Sequence, residues 1–194
     1  MQFPNNKGKA IRSKVRNERY GTHLTVLGMS IDILNPSIEN PIELIEHGMG
    51  LSSTSFLHSI KNVNIITSFE REIEWANCKD CDKGSQQCHN IILINDDSFT
   101  EQITSMNFAT RAVALVDGYA LHRPIILESL MKNGVEFIVE HDAETFVVGE
   151  VVLRQAFARK YDYDAYQYVG KNPESALYVK KSKLFQPTNE YVAL

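Results

Sequence analysis

The chain has 194 residues, 43% of them hydrophobic, and a formal net charge of −4; this suits one domain with a sizeable core and excludes a uniformly basic nucleic-acid binder. No apolar run approaches the roughly 18 residues of a transmembrane helix, and the N-terminus lacks the apolar core of a signal peptide. Three cysteines, all within residues 78–88, argue against a secreted disulfide framework, so a soluble, cytoplasmic protein with no membrane partner is expected.

Residues 1–20 read as a basic arm: Lys7, Lys9, Arg12, Lys14, Arg16 and Arg19 are opposed only by Glu18, the pattern of a solvated terminus. Residues 21–194 read as a single domain. It opens with a helix over "THLTVLGMSIDIL", expected to cover one edge of a sheet. Five runs of strand length follow, at 41–46, 63–69, 90–96, 112–117 and 135–142. Each is apolar almost throughout, as strands buried on both faces are.

Helix signals separate these runs. Ser98 and Glu101 have capping-box spacing. Pro124 suits the first turn of a helix through "IILESLMK", and Asn133-Gly134 suits its left-handed end. "EVVLRQAFARKY" predicts a helix after the fifth run. "YDAYQYVG" and "ALYVKKS" then read as an antiparallel hairpin. The pattern predicts a doubly wound α/β fold: a mostly parallel, seven-stranded sheet closed by a C-terminal antiparallel hairpin. A ligand then belongs off the carboxyl ends of the strands.

Polar residues collect at those ends. Glu46-His47-Gly48-Met49-Gly50 follows the first strand, with glycines that permit positive φ and close backbone approach. Ser52, Ser53 and Thr54 offer hydroxyls and amides at a helix start. Glu70 ends the second strand, where a carboxylate can accept both hydroxyls of a ribose. Asp96 and Asp97 end the third, Asp117 the fourth, and His141-Asp142 the fifth. The position where a dinucleotide fingerprint needs a third glycine holds Ser53, so a dinucleotide is the poorer fit.

The run from Glu46 to Thr54, the acid in "TSFEREIEW", the segment "LVDGYALHRP" and the closing hairpin resemble the class I S-adenosylmethionine-dependent methyltransferases over roughly residues 40–182. That resemblance implies a Rossmann-like methyltransferase fold and S-adenosylmethionine as cofactor. Glu46, Gly48, Gly50 and Ser52, Ser53 and Thr54 would serve its methionine part, Glu70 its ribose and Asp96 its adenine. The catalytic candidates are Asp117, His122, His141 and Asp142. Asp117 and Asp142 could share a divalent cation, as in the metal-dependent O-methyltransferases; without one, His141 or His122 would take the proton. Arg123 could clamp an anionic acceptor.

"VEFIVEHDAE" is also similar to a segment of the polysaccharide glucuronic-acid O-methyltransferases. No N-P-P-Y or D-P-P-Y segment follows the fourth strand, and no Pro-Cys, so nucleic-acid base methylation is disfavoured. A hydroxyl of a small molecule or sugar is the expected acceptor. The alternative is a non-catalytic nucleoside-binding module, or a zinc-stapled interaction module, of the same fold. The zinc would be structural and held by Cys78, Cys81, Cys88 and His89. A homodimer would pair through the hairpin edge or the first helix.

Overall fold

The computed structural model describes residues 22–77, 88–142, 148–169 and 174–194. The basic arm, Cys78 and Cys81 lie outside the described residues. In chain order the elements are α1 (Thr22–Leu34), β1 (Ile42–His47), α2 (Leu51–His58), β2 (Val63–Glu70), α3 (Ile73–Ala76) and β3 (Cys88–Leu93). There follow α4 (Phe99–Thr104), β4 (Ala112–Val116), α5 (Arg123–Asn133), β5 (Phe137–His141) and α6 (Val148–Tyr161). The chain closes with β6 (Tyr163–Tyr168), β7 (Ser175–Lys180) and β8 (Tyr191–Ala193).

The strands form one sheet in the order β3-β2-β1-β4-β5-β7-β6-β8. The first five run parallel, and β7, β6 and β8 join antiparallel. The expected doubly wound sheet with its closing hairpin is therefore present, and the described strands number eight. The additional strand, β8, is three residues long and pairs with β6. It is too short to carry a periodic signal.

Alternation of side chains divides the core. Along β4, Ala112, Ala114 and Val116 face one layer with Phe99, Ile103 and Ile126. Val113 and Leu115 face the other with Leu24, Leu27, Ile31 and Phe56. Both layers are needed to bury β4 and β5 at every residue.

Three local expectations resolve differently or in detail. Helix α1 packs against β4, β5 and β7 rather than at an edge of the sheet. There Leu24, Val26, Leu27, Ile31 and Leu34 are all buried. Ser30, buried among them, donates to the carbonyl of Val26 at 2.9 Å. The capping box of α4 does not form: Ser98 holds the N-cap position without a side-chain bond. Instead Asn95 Oδ1 accepts the Asp97 amide at 3.0 Å, and Asn95 O accepts the Ser98 amide at 3.1 Å, turning the chain by an Asx-type loop. Helix α5 has Pro124 in its first turn and ends on Gly134 in the left-handed region, φ 77°, as its sequence predicts. No described helix is long and apolar enough to cross a membrane.

Candidate functional site

Between β1 and β4 the strand order reverses, and the loops leaving β1, β2 and β4 open a cleft of about 260 Å³. Gly48 and Met49 line it from the first loop, Glu70, Arg71 and Trp75 from the second, and Asp117, Gly118 and Tyr119 from the third. This is the switch-point position at which open α/β sheets bind ligands.

The two glycine loops touch. Gly48 has φ +86°, and a Cβ there would lie 2.5 Å from the Gly118 Cα and 2.6 Å from its nitrogen. A Cβ on Gly118 would in turn lie 2.6 Å from the ring of His47. The close approach expected of a ligand at Gly48 is thus, within the chain, an approach to Gly118. Gly50 is extended at φ −147° and caps α2, so it needs no left-handed freedom.

Beneath the first loop Glu46 is wholly buried. Thr54 Oγ1 donates to its carboxylate at 2.9–3.0 Å, and Ser68 Oγ donates at 2.9 Å. The Gly50 amide donates to Thr54 Oγ1 at 3.1 Å. Burial pushes Glu46 up to about 7, against the hydrogen bonds from Ser53, Ser68 and Thr54. Its carboxyl therefore ties α2 and β2 to the loop from below, while Ser52 and Ser53 sit in the first turn of α2.

Ser68 Oγ also meets His89 Nε2 at 2.8 Å, and His89 Nδ1 meets His58 Nε2 at 2.9 Å. Both nitrogens of His89 thus have neighbours within the chain. Cys88 is exposed at the start of β3.

Glu70 is the most heavily used acid of the cleft. One carboxylate oxygen accepts the Met49 amide at 2.8 Å; the other accepts the amides of Arg71 at 2.7 Å and Glu72 at 2.8 Å. A carboxylate offers about four acceptor positions, so these bonds leave room for a ligand hydroxyl on the oxygen facing Met49. Asp96, half exposed, lies 3.6 Å from Arg71 and 3.3 Å from His122. Arg71 in turn stacks over Tyr119 with 4.4 Å to the ring centroid.

The four catalytic candidates separate into two groups. His122 stacks on Phe99 at 3.9 Å beside Asp96. Burial lowers its pKa, with the charge of Asp96 opposing. The other three meet at the ends of β4 and β5. His141 Nδ1 lies 2.8 Å from Asp117 Oδ1 and 3.4 Å from Asp142 Oδ1.

Burial works against charge on both members of the first pair, yet their mutual bond prevails. Asp117 lies below the usual carboxylate range because of its bond to His141 and the nearby positive charges of His141, His23 and Arg123. His141 is raised by the bond to Asp117 and by the charges of Asp117 and Asp142.

Arg123 does not face outward as a clamp. Its Nε donates to Gly118 O and its Nη1 to His141 O, both at 2.9 Å. Its Nη2 lies 3.7 Å from Asp117 and 3.5 Å from Asp142. The guanidinium thus joins the loops after β4 and β5 and balances both acids. Asp142, the residue that leaves β5, adopts φ 57°.

Two histidines that the sequence did not single out complete the surroundings. His47, under Gly118, is depressed to about 3 by burial and by the charges of His122 and Arg123. His23, from the first turn of α1, sets its ring 4.3 Å from that of His141, and burial lowers it to about 4. A signal for His23 existed: it shares the stripe of Leu27 and Ile31, at helical spacing, and is the one imidazole on that apolar face.

No family model and no curated protein matches the sequence. Solved structures do match in fold. An O-methyltransferase from Bacillus cereus, in complex with SAH (S-adenosylhomocysteine), has a TM-score of 0.53 at 15% identity, over 93% of this chain and 94% of its own. A proposed caffeoyl-CoA O-methyltransferase from Staphylococcus aureus gives 0.58 at 14%, over 91% and 93%. A precorrin 8W decarboxylase from Methanobacterium thermoautotrophicum gives 0.57 at 12%, over 80% and 89%. The chain therefore has the class I S-adenosylmethionine-dependent methyltransferase fold. Since that fold also carries a decarboxylase, the activity has to be argued from the site.

Proposed function

We propose that this protein is an S-adenosylmethionine-dependent methyltransferase acting on a hydroxyl oxygen of a small molecule or sugar. The observation that carries the reading is that Asp117, paired with His141 at 2.8 Å, lines the same cleft as Glu70. Glu70 suits a nucleoside, and the Asp117–His141 pair suits proton removal.

The cleft's own chemistry fits the cofactor. Glu70 retains acceptor capacity for a ribose hydroxyl, and its three amide bonds hold the carboxylate in place. Trp75, partly exposed, offers a ring to an adenine face. Gly48 and Met49 line the cleft where the methionine end would sit, and Asp96, 3.6 Å from the lining residue Arg71, would serve the adenine side. When bound, the cofactor supplies an electrophilic methyl group on a sulfonium.

The rest falls to the chain. Asp117 is the member of the pair that lines the cleft, so the acceptor hydroxyl donates its hydrogen bond to that carboxylate. The proton is then held by Asp117 and His141 as a unit, since two groups 2.8 Å apart titrate together. Arg123 keeps both loop ends fixed, so the acceptor oxygen meets an already oriented base.

The test is isothermal titration of the full chain with S-adenosylhomocysteine, beside NAD, with Glu70→Ala as control. Binding of the product analogue alone, weakened at least about tenfold in the control, is expected for a lost charge-assisted hydrogen bond. Binding of neither ligand would end the transferase reading.

A further inference from the structure

His23, Asp117 and His141 come from three separate elements: the first turn of α1, the loop after β4 and the last residue of β5. Each offers one ligand atom, and all three atoms lie within 4.8 Å of one another. We propose that these three side chains form a binding site for a divalent transition-metal ion of the zinc class, with a coordination position left for an oxygen ligand.

The first argument is unspent donor capacity. His23 is 3% exposed and His141 5%. Both ring nitrogens of His23, and Nε2 of His141, are buried with no hydrogen-bond partner. A buried imidazole usually finds a partner for its nitrogens. Here His23, with neither nitrogen bonded, and His141, bonded only through Nδ1 to Asp117, stand edge to face 4.3 Å apart. An ion accepts the lone pair that each ring presents and neutralises the acid.

The second is the donor set. Two imidazoles and one carboxylate suit zinc and its neighbours, whereas magnesium and calcium take oxygen ligands. Three protein ligands are also the number found where a fourth position stays open. With metal–ligand bonds of about 2.0–2.2 Å, donors of a tetrahedral site lie roughly 3.3 Å apart. The cluster's donors lie within 4.8 Å of one another, so binding an ion would draw them together by up to about 1.5 Å.

The third is the outer layer. Arg123 donates to the backbone carbonyl of His141 and lies 3.7 Å from Asp117. Asp142 approaches His141 Nδ1 at 3.4 Å. Groups in such positions orient metal ligands and tune their basicity. The two imidazoles distinguish this site from a cation shared by Asp117 and Asp142, whose protein donors would all be oxygens. Since Asp117 also lines the cleft, the ion would border it.

The site is tested by metal binding alone, with neither methyl donor nor acceptor, so it stands or falls apart from the transferase reading. The full chain carrying Cys78→Ser, Cys81→Ser and Cys88→Ser, which removes competing thiols, is stripped with chelator. It is then titrated with Zn²⁺ by calorimetry and with Co²⁺ by visible absorption. One equivalent of Zn²⁺, a Co²⁺ ligand-field spectrum and no comparable binding of Mg²⁺ are expected. Affinity should fall about tenfold or more in His23→Ala and in Asp117→Asn. Should His23→Ala fail to fold, as judged by its melting transition, His23→Phe keeps the ring volume and is read instead. Absence of saturable binding, or equal affinity after loss of the His23 ring, would overturn the site.

Discussion

Asp117 and Glu46 show how two carboxyls in one sheet can be set to opposite ends of their range. Asp117 has an imidazole at 2.8 Å and stays charged; Glu46 has only hydroxyls and is held up at about 7 by burial. Asp117→Asn keeps the shape and removes the base. Methyl transfer to a panel of hydroxylated acceptors should fall by about 10²-fold or more, with affinity for S-adenosylhomocysteine within about threefold of wild type.

For Glu46 the sign follows from its raised value. The folded carboxyl keeps its proton up to about pH 7, whereas in the unfolded chain it loses it near pH 4.5. Its contribution to stability is therefore full below about pH 4.5 and lost as pH rises through 7. Urea unfolding of wild type and Glu46→Gln across pH 5–8 isolates this group. The wild type should lose stability relative to the variant as pH rises, by up to about 3 kcal/mol. A pH-independent difference would mean that Glu46 is charged throughout. At this scale the sequence was readable where residue type and strand end coincided, as at Glu70 and Asp117. It was silent on what each acid would touch, because Ser68 and His141 reach their partners from more than twenty residues away.

Elements are joined by a pair that periodicity could not reveal. Glu140 and Arg154 are both buried and meet in two bonds of 2.6 and 2.8 Å, and Tyr178 donates to Glu140 at 3.0 Å. The pair fastens α6 to β5, the strand that ends in His141. Arg154→Met should cost about 3–5 kcal/mol in urea unfolding, since it leaves a carboxylate buried against apolar side chains. Adding Glu140→Leu should restore part of that loss, less the bond that Tyr178 then lacks. A single variant as stable as wild type would show that Glu140 is protonated without its partner. The strands β1, β4 and β5 were legible because a parallel strand buried on both faces has to be apolar at nearly every position. Strand β3, read in the same way, instead forms the edge of the sheet and buries none of its residues. Helix starts were less legible. Ser98 and Glu101 have the right spacing, yet the turn at Asn95 takes the amides first, and local sequence does not say which of two adjacent motifs wins.

Across the molecule, two constructions share one sheet. The loops leaving β1, β2 and β4 build the cleft, while α1 roofs β4, β5 and β7 from one face and brings His23 to the end of β5. The placement of α1 over the middle of the sheet was hidden from its sequence because apolar content gives a helix's burial but not its neighbours. The separation has a measurable consequence. Leu27 is fully buried in the layer that α1 shares with Leu115 and Val139, so Leu27→Ala should lower stability by about 2–5 kcal/mol through the lost burial and the cavity left behind. The cleft lining contains no residue of α1, so affinity for S-adenosylhomocysteine, measured at a temperature where the variant stays folded, should change less than about threefold. If affinity falls in step with stability, the roof and the cleft open together, and α1 is part of the donor site rather than only its neighbour.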